Sequence, residues 1–372
     1  MRRKSTVDKP FLICIITILF AGFLIFISAS MGLHARDGAS FSSILLRQTF
    51  IGLILGAIAL IITSNIPYRF WRKHAFYIFL GALMLTGLVF IPGIGIEHNG
   101  AQRWVGIFGF TFQPAEFLKF GFVIYLAAWL SGIREKIQKM SFGLLPIVIL
   151  LAIVGGMLAL QPDVGTLLII SFAALGMFLT AGARMRDIAI ILLIGIIASG
   201  VLLISKPYIL DRFSTFLNPE ADPHGSGYQI QQSLIAIGSG GLWGRGFGQG
   251  VQKFNFLPEP VGDSIFAVAA EEFGFIGSLV IIGLFVLIGL RGLSIASRAP
   301  DMFGGLMVVG IAILIVSQSF INIASMLGIF PLTGMPLLFV SQGGTALLTT
   351  LAGAGIILNV SKSQRSKPLG SL

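Results

Sequence analysis

The chain has 372 residues, of which 55% are hydrophobic and only 11% charged, with a mean hydropathy of +0.94; an ordinary soluble domain carries about 25% charged residues. A soluble globular domain is excluded, and so are disordered and collagen-like chains, because the 47 Gly follow no three-residue period and 32 Phe need burial. The net charge of +10 therefore has to be read against a membrane.

Apolar runs fall near 11 to 30, 47 to 66, 75 to 92, 115 to 132, 143 to 160, 164 to 182, 188 to 205, 265 to 290, 303 to 327 and 336 to 360. At about 20 residues per crossing these predict an all-α polytopic membrane protein of about ten transmembrane helices, a single unit over 1–372. The first run has a basic start like a signal peptide, yet it lacks a small-residue cleavage site and is expected to be retained. Its Cys14 is the one cysteine, so a disulfide within the chain and a Cys-based metal site are excluded.

Charge sets the orientation. With the N-terminus in the cytoplasm, seventeen of the 25 Lys and Arg fall on that side, among them Arg2, Arg3, Arg72, Lys73, Arg134, Lys139, Arg184, Arg186 and Lys367. Seven fall opposite: Arg36, Arg47, Arg103, Lys206, Arg212, Arg245 and Lys253. Both termini are thus expected inside. No nucleic-acid module is visible, and anionic lipid heads account for the inner cations.

Most connections are short. The exception, about 206–264 between the seventh and eighth helices, is a large extracytoplasmic loop carrying Asp211, Arg212, Glu220, Asp222, His224, Arg245, Lys253, Glu259 and Asp263. Within it Tyr228 to Ile237, with Gln229, Gln231, Gln232 and Ser233, has the spacing of an amphipathic helix at the membrane surface. The glycines from Gly238 to Gly250 either form a functional loop or simply make turns.

Ionisable groups at membrane depth are candidates for function. Glu116 and Lys119, three apart, share a helix face, either as a packing pair or as part of a site. Asp163, in Gln161-Pro162-Asp163-Val164-Gly165, either caps the sixth helix or acts in chemistry. Glu271 and Glu272 lie about two turns into the eighth helix, so at least one must face protein or water. Asp263 stands where the long loop meets that helix; besides capping, its apolar neighbours Phe254, Phe256, Leu257, Ile265 and Phe266 would raise its pKa toward that of a useful base. His34, His74, His98 and His224 have no metal-ligand spacing.

These residues resemble the SEDS family of shape, elongation, division and sporulation proteins, whose members include FtsW and RodA. The resemblance covers nearly the whole chain. It rests on Asn99-Gly100-Ala101-Gln102-Arg103-Trp104, Gln113-Pro114-Ala115-Glu116 with Lys119, Gln161 to Thr166, Gly227-Tyr228-Gln229 to Ser233, Gly244 to Gly248, and Phe256-Leu257-Pro258-Glu259. Asp263, Glu271-Glu272, Gly334-Met335-Pro336 and Ser341-Gln342-Gly343-Gly344 complete it. The Asn-Gly-Ala and Gln-Ser portions look more like the division than the elongation members.

The resemblance implies a peptidoglycan glycosyltransferase of the bacterial cytoplasmic membrane that polymerises lipid II on the outer face, with Asp263 as the general base. A sugar hydroxyl attacks the anomeric carbon of an α-linked polyprenyl pyrophosphate and yields a β-linked product, so one inverting displacement and one base suffice. Arg103, Arg212, Arg245 and Lys253 are the outer cations near these motifs and either meet the leaving group, Arg103 and Arg245 first among them, or lie against lipid headgroups; Gln232 and Glu259 are expected beside the substrate, with a divalent cation, Mg or Mn, sharing the charge. The partner implied is a single-span class B penicillin-binding transpeptidase, together with other division or elongation proteins. Here Val261-Gly262 stands where the family usually has His-Thr, and Ser264 replaces a common Phe. A lipid II flippase using Glu116, Lys119, Asp163 and Glu271 as a polar path, and a non-catalytic scaffold, are the alternatives.

Overall fold

The computed structural model describes residues 7–36, 44–46, 48–98, 101–107, 110–222 and 225–363. Asn99, Gly100 and His224 lie outside the described residues, as do Arg2, Arg3 and Lys367.

Helix α1 is Lys9–Arg36; a π-helical turn, Gln48–Ile54, leads into α2, Leu55–Asn65, and α3 follows at Tyr68–Gly87. Strands β1 (Gly95–His98), β2 (Ala101–Ile107) and β3 (Phe110–Phe112) come next, then α4, Pro114–Gly132. Helices α5 (Leu144–Leu160), α6 (Val164–Thr180) and α7 (Met185–Ser205) precede the long loop, which contains α8 (Pro207–Leu217), α9 (Ser226–Ser239) and the single turn α10 (Gln252–Asn255). Helices α11 (Ile265–Ser297), α12 (Met302–Met326) and α13 (Gly344–Lys362) close the chain.

Eight helical stretches of the described residues are long and apolar enough to cross a membrane, and α5 and α6 are two shorter apolar helices. Nine of these fall close to the apolar runs, while the last helix starts at Gly344, so that residues 336–343 of the final run are not helical. At 1.5 Å per residue, the 17 residues of each short helix cover about 25 Å, so they match a bilayer core of about 30 Å only with help from the turn that joins them. Helices α12 and α13 are buried along most of their length and form the centre, whereas α7 turns apolar side chains such as Leu193, Ile196 and Ile204 outward. Small residues allow the close packing expected between membrane helices. A Cβ at Gly355 of α13, for instance, would overlap the main chain of α2 at Leu60.

One small β element accompanies the all-α fold. β1, β2 and β3 form a three-stranded antiparallel sheet in the order β1-β2-β3. His98 pairs with Ala101, so β1 and β2 are adjacent antiparallel strands, an element the sequence reading did not expect. The sheet holds Arg103 on β2 close to the α5–α6 turn.

The long loop is also more ordered than expected. Helix α9 occupies Ser226–Ser239 and buries Ile230, Ser233 and Ala236, so it packs into the protein instead of only resting on the membrane. Gly241, Gly244, Gly246 and Gly248 all have positive φ; the glycine-rich stretch is a string of tight turns. Helix α11 is broken at Gly274 (φ 66°, ψ −162°), a conformation open to glycine alone.

If all ten helices cross, the 134–140 loop and the C-terminal end of α13 lie on one side and residues 206–264 on the other. Reporter fusions are expected to read the first two as cytoplasmic and the third as outside; a C-terminus on the side of the long loop would overturn the count.

Candidate active site

Asp263 ends the tight turn that leads into α11. The Glu259 carbonyl accepts from the Gly262 N–H at 3.0 Å and from the Ser264 N–H at 3.3 Å. Three further bonds pin this turn from the far end of the chain. Ser341 Oγ donates to the Gly262 carbonyl at 2.6 Å, the Gln342 N–H to the Val261 carbonyl at 2.7 Å, and Asn322 Nδ2 to the Asp263 carbonyl at 2.8 Å. Asn322 also donates to the Met335 carbonyl at 2.8 Å, so one buried amide of α12 holds both the Asp263 turn and the Gly334-Met335-Pro336 segment. Main-chain restraint on both sides of the carboxylate fixes its aim without consuming its oxygens.

The side chain itself is partly exposed. Its Oδ1 accepts from Gln229 Nε2 of α9 at 3.1 Å, and the same amide group reaches Ser264 Oγ at 2.9 Å. Ser264, the departure from the usual family residue, therefore shares the glutamine that holds the carboxylate. Burial pushes the Asp263 carboxyl up to about 6, and the nearby Glu259 carboxylate adds to the rise, while the Asp263 main chain, Gln229 and Arg212 pull the other way. An acid of that strength is mostly ionised at neutral pH yet far more basic than a free aspartate.

The cations sort into two groups. Arg212 of α8 donates to the Leu332 carbonyl at 3.2 Å; its pKa is lowered by burial first and by the charge of Arg103 second. Tyr208, one turn earlier on the same face, has its hydroxyl buried without a hydrogen-bond partner among the described residues, and burial raises its pKa against the charges of Arg103 and Arg212. Arg103 reaches over from β2 to the carbonyls of Gln161 and Pro162. Two mutually repelling guanidiniums and an unsatisfied phenol donor on the Asp263 side make a place for an anion.

Arg245, Lys253 and Glu271 belong elsewhere. Lys253 is completely buried and spends its ammonium on Glu272 Oε1 at 2.6 Å, Ser28 Oγ at 2.8 Å and the Gly248 carbonyl at 3.0 Å. The expectation that Lys253 meets substrate is corrected by this geometry, since a lysine has three donors and all are used. Glu271 accepts from the Val251 N–H at 2.8 Å and stands 3.8 Å from Arg245. Glu271 and Glu272 thus clamp the glycine-rich turns onto α11 and α1, which is why two acids tolerate this depth. Arg245 is the outer, exposed end of that clamp.

Glu116 and Lys119 form the buried pair that their spacing predicts, at 2.8 Å. Lys119 also donates to Gln318 Oε1 at 2.6 Å, and Gln318 Nε2 to the Pro336 carbonyl at 3.2 Å, so the pair braces α4 against α12 and the Pro336 segment. Asp163 caps α6, accepting from the Thr166 N–H at 3.3 Å and Thr166 Oγ1 at 2.9 Å, and receives Gln113 Nε2 at 3.4 Å. Gln232 is half-buried on α9, nearly one turn from Gln229, and Glu259 is exposed beside Asp263. Among the described residues no three His, Cys, Asp or Glu side chains gather as a metal site.

The fold and this site define a polytopic membrane protein with a restrained, weakly acidic aspartate and an anion-receiving patch at one membrane face. A family model described as cell cycle protein, spanning FtsW, RodA and SpoVE, matches residues 9–366; the chain belongs to that family. It is 38% identical to a probable peptidoglycan glycosyltransferase FtsW of Trichlorobacter lovleyi over 99% of this chain and 96% of that one. It is 37% identical to the stage V sporulation protein E of Bacillus subtilis, over 98% and 100%. Among solved structures it is similar to a peptidoglycan synthase complex concerned with polymerisation and crosslinking (TM-score 0.77, 28% identity, 96% and 98% covered). The rod shape determining protein RodA of Thermus thermophilus is a further match (TM-score 0.71, 28% identity, 97% and 99% covered).

The clamp makes a prediction about stability. Lys253→Met strands Glu272 in the interior, and breaking a buried pair from one side costs about 3 to 5 kcal/mol. Thermal unfolding in detergent should show a clearly lowered midpoint, and adding Glu272→Gln to Lys253→Met should recover part of it. A single variant as stable as the parent would refute the clamp.

Proposed function

We infer that this protein is a peptidoglycan glycosyltransferase that extends glycan strands from lipid II at the outer face of the bacterial cytoplasmic membrane. The observation that carries the reading is the juxtaposition of a raised-pKa aspartate with Arg103, Arg212 and the unsatisfied Tyr208 hydroxyl. The curated FtsW relatives bear that activity in their names, and the likeness to a peptidoglycan synthase complex of polymerisation and crosslinking supports assembly with a crosslinking partner, for which a single-span transpeptidase is the proposal.

The acceptor sugar hydroxyl attacks the anomeric carbon of the donor, forming a C–O bond as the bond to the pyrophosphate oxygen breaks. Asp263 takes the hydroxyl proton, and inversion makes the product β-linked. The departing pyrophosphate keeps the bonding electrons, so it needs positive charge and hydrogen-bond donors more than an acid. Arg212 and Tyr208 present those donors. Arg103 joins them by exchanging its carbonyl partners for phosphate oxygens. Glu259, exposed beside Asp263, is the carboxylate that would hold a divalent cation, Mg or Mn, and such an ion would neutralise leaving-group charge there while Asp263 stays free to take the proton. Such an arrangement fits the residues present without a full protein cage.

Glu116 and Lys119 are satisfied by each other and by Gln318, which favours bracing over a polar path for flipping. A scaffold would have no use for the restraint on Asp263.

Asp263→Asn keeps the Gln229 contact but cannot accept the proton. It should fold, bind lipid II and assemble with its transpeptidase, yet lose about 10² to 10⁴ in polymerisation rate, read as glycan length on gels. Near-normal polymer from the purified variant would sink the base. In the parent the active form is the carboxylate, so the rate should rise as pH passes through about 6 and level off above it. Gln229→Leu removes a donor that favours the ionised form and should move that midpoint upward.

Arg212→Ala removes a charge-assisted bond of about 1.5 to 3 kcal/mol and should cut kcat/KM by about 10-fold or more. Arg245→Ala, on the exposed end of the clamp, should change it far less. The opposite ranking would move the pyrophosphate to the glycine-rich turns.

A further inference from the structure

Helix α8 starts at Pro207, two residues after the last residue of α7, Ser205. A span that ends at the membrane surface leaves its immediate successor at that surface, so α8 is placed by covalent continuity at the lipid interface. At about 100° per residue its side chains divide into two opposed faces. Tyr208, Arg212 and Thr215 share one face, at i, i+4 and i+7, and lie against the protein, with Thr215 buried. Leu210, Phe213 and Leu217 share the other, and the protein leaves them 52%, 42% and 68% exposed. Lys206 flanks this second face at its start. An apolar stripe with a cation at its end and an aromatic in its middle is the composition of a helix lying in the interface, its lysine reaching phosphate.

We propose that α8 is a membrane-docking helix whose Leu210, Phe213 and Leu217 enter the hydrocarbon of the leaflet on the Asp263 side, and that this contact sets the height at which Tyr208 and Arg212 face Asp263. The occupant is lipid: the helix is joined to a span with almost no linker, and the exposed face points away from every element that the opposite face packs against. Outside α8 the ties on Arg212 are few, the Leu332 carbonyl being its one described hydrogen bond. The helix position is therefore decided largely by what supports it from below. The lipid contact stands independently of the catalytic reading, whereas its effect on rate rests on the pyrophosphate role given to Tyr208 and Arg212.

The test uses full-length protein with Cys14→Ser, carrying one of Leu210→Cys, Phe213→Cys, Leu217→Cys or Asp211→Cys. Each is labelled with a small fluorophore and reconstituted in phosphatidylcholine and phosphatidylglycerol vesicles. Brominated acyl chains should quench labels at 210, 213 and 217 at least about twofold more than at 211, and aqueous iodide should show the reverse order. Equal quenching by iodide at all four positions, or shielding at 210, 213 and 217 that develops only when a protein partner is added, would overturn the docking.

The second arm is the Phe213→Ser, Leu217→Ser double variant in the same vesicles. Its thermal midpoint should match the parent, while kcat/KM for lipid II falls about fivefold or more, with the larger share in KM. A parental kcat/KM would overturn the coupling between docking and the site. Should the parent itself make no polymer, or Asp263→Asn make as much as the parent, the catalytic reading fails while the quenching result still decides the docking.

Discussion

Everything at this site depends on holding a carboxylate by its main chain. Asn322, buried in the central helix, gives its two amide hydrogens to the carbonyls of Asp263 and Met335, and Ser341 and Gln342 hold the two residues before it. A carboxylate fixed through its own oxygens by cations would be a poor base, because each such bond stabilises the ionised form and lowers proton affinity. Here the backbone is fixed and the side chain keeps a single amide partner, so desolvation prevails and the acid is weakened.

The other charges of the interior are treated in the opposite manner. Lys253, Glu271 and Glu272 are saturated with partners, as are Glu116 and Lys119. A bilayer offers no water to repair a missed hydrogen bond, so each buried charge is either fully paired or kept at the edge. Saturation separates these charges better than depth does: Glu272 and Asp263 lie nine residues apart on one chain segment, yet Glu272 is saturated with partners while the Asp263 carboxylate keeps a single side-chain bond.

What could be read from the chain follows the range of the interactions involved. Glu116 and Lys119 were legible because a helix brings i and i+3 together, and Asp163 because a cap acts on the residues just after it. Asp263 stood out by its place between a polar loop and an apolar run. Arg212 was visible as one of four outer cations near the motifs, but Gln229, Tyr208 and Asn322 were not legible as companions of Asp263, since they come from three different helices and only tertiary packing gathers them. Lys253 was misjudged for a related reason: from sequence it is an outer-loop cation, and only its approach to Ser28, 225 positions away, reveals that it is buried. The Asn99-Gly100 dipeptide is a hairpin signal in the sequence, but the apolar periodicity of the surrounding helices outweighed it.

The break at Gly274 divides α11 mechanically. Its first segment carries the Asp263 turn and the acids of the clamp, while the remainder shows Leu279, Val280, Leu287 and Leu290 to the exterior. An unbroken helix would act as a lever, converting any tilt of the outer segment into displacement of its upper end. With a hinge between them, and with the N–H groups of Phe275 and Ile276 tied to the carbonyls of Gly241 and Leu242, a sideways load on the outer segment is passed to the glycine-rich turns before it reaches the Asp263 turn. A span hinged there can lean with the bilayer around it without levering the turn that carries Asp263.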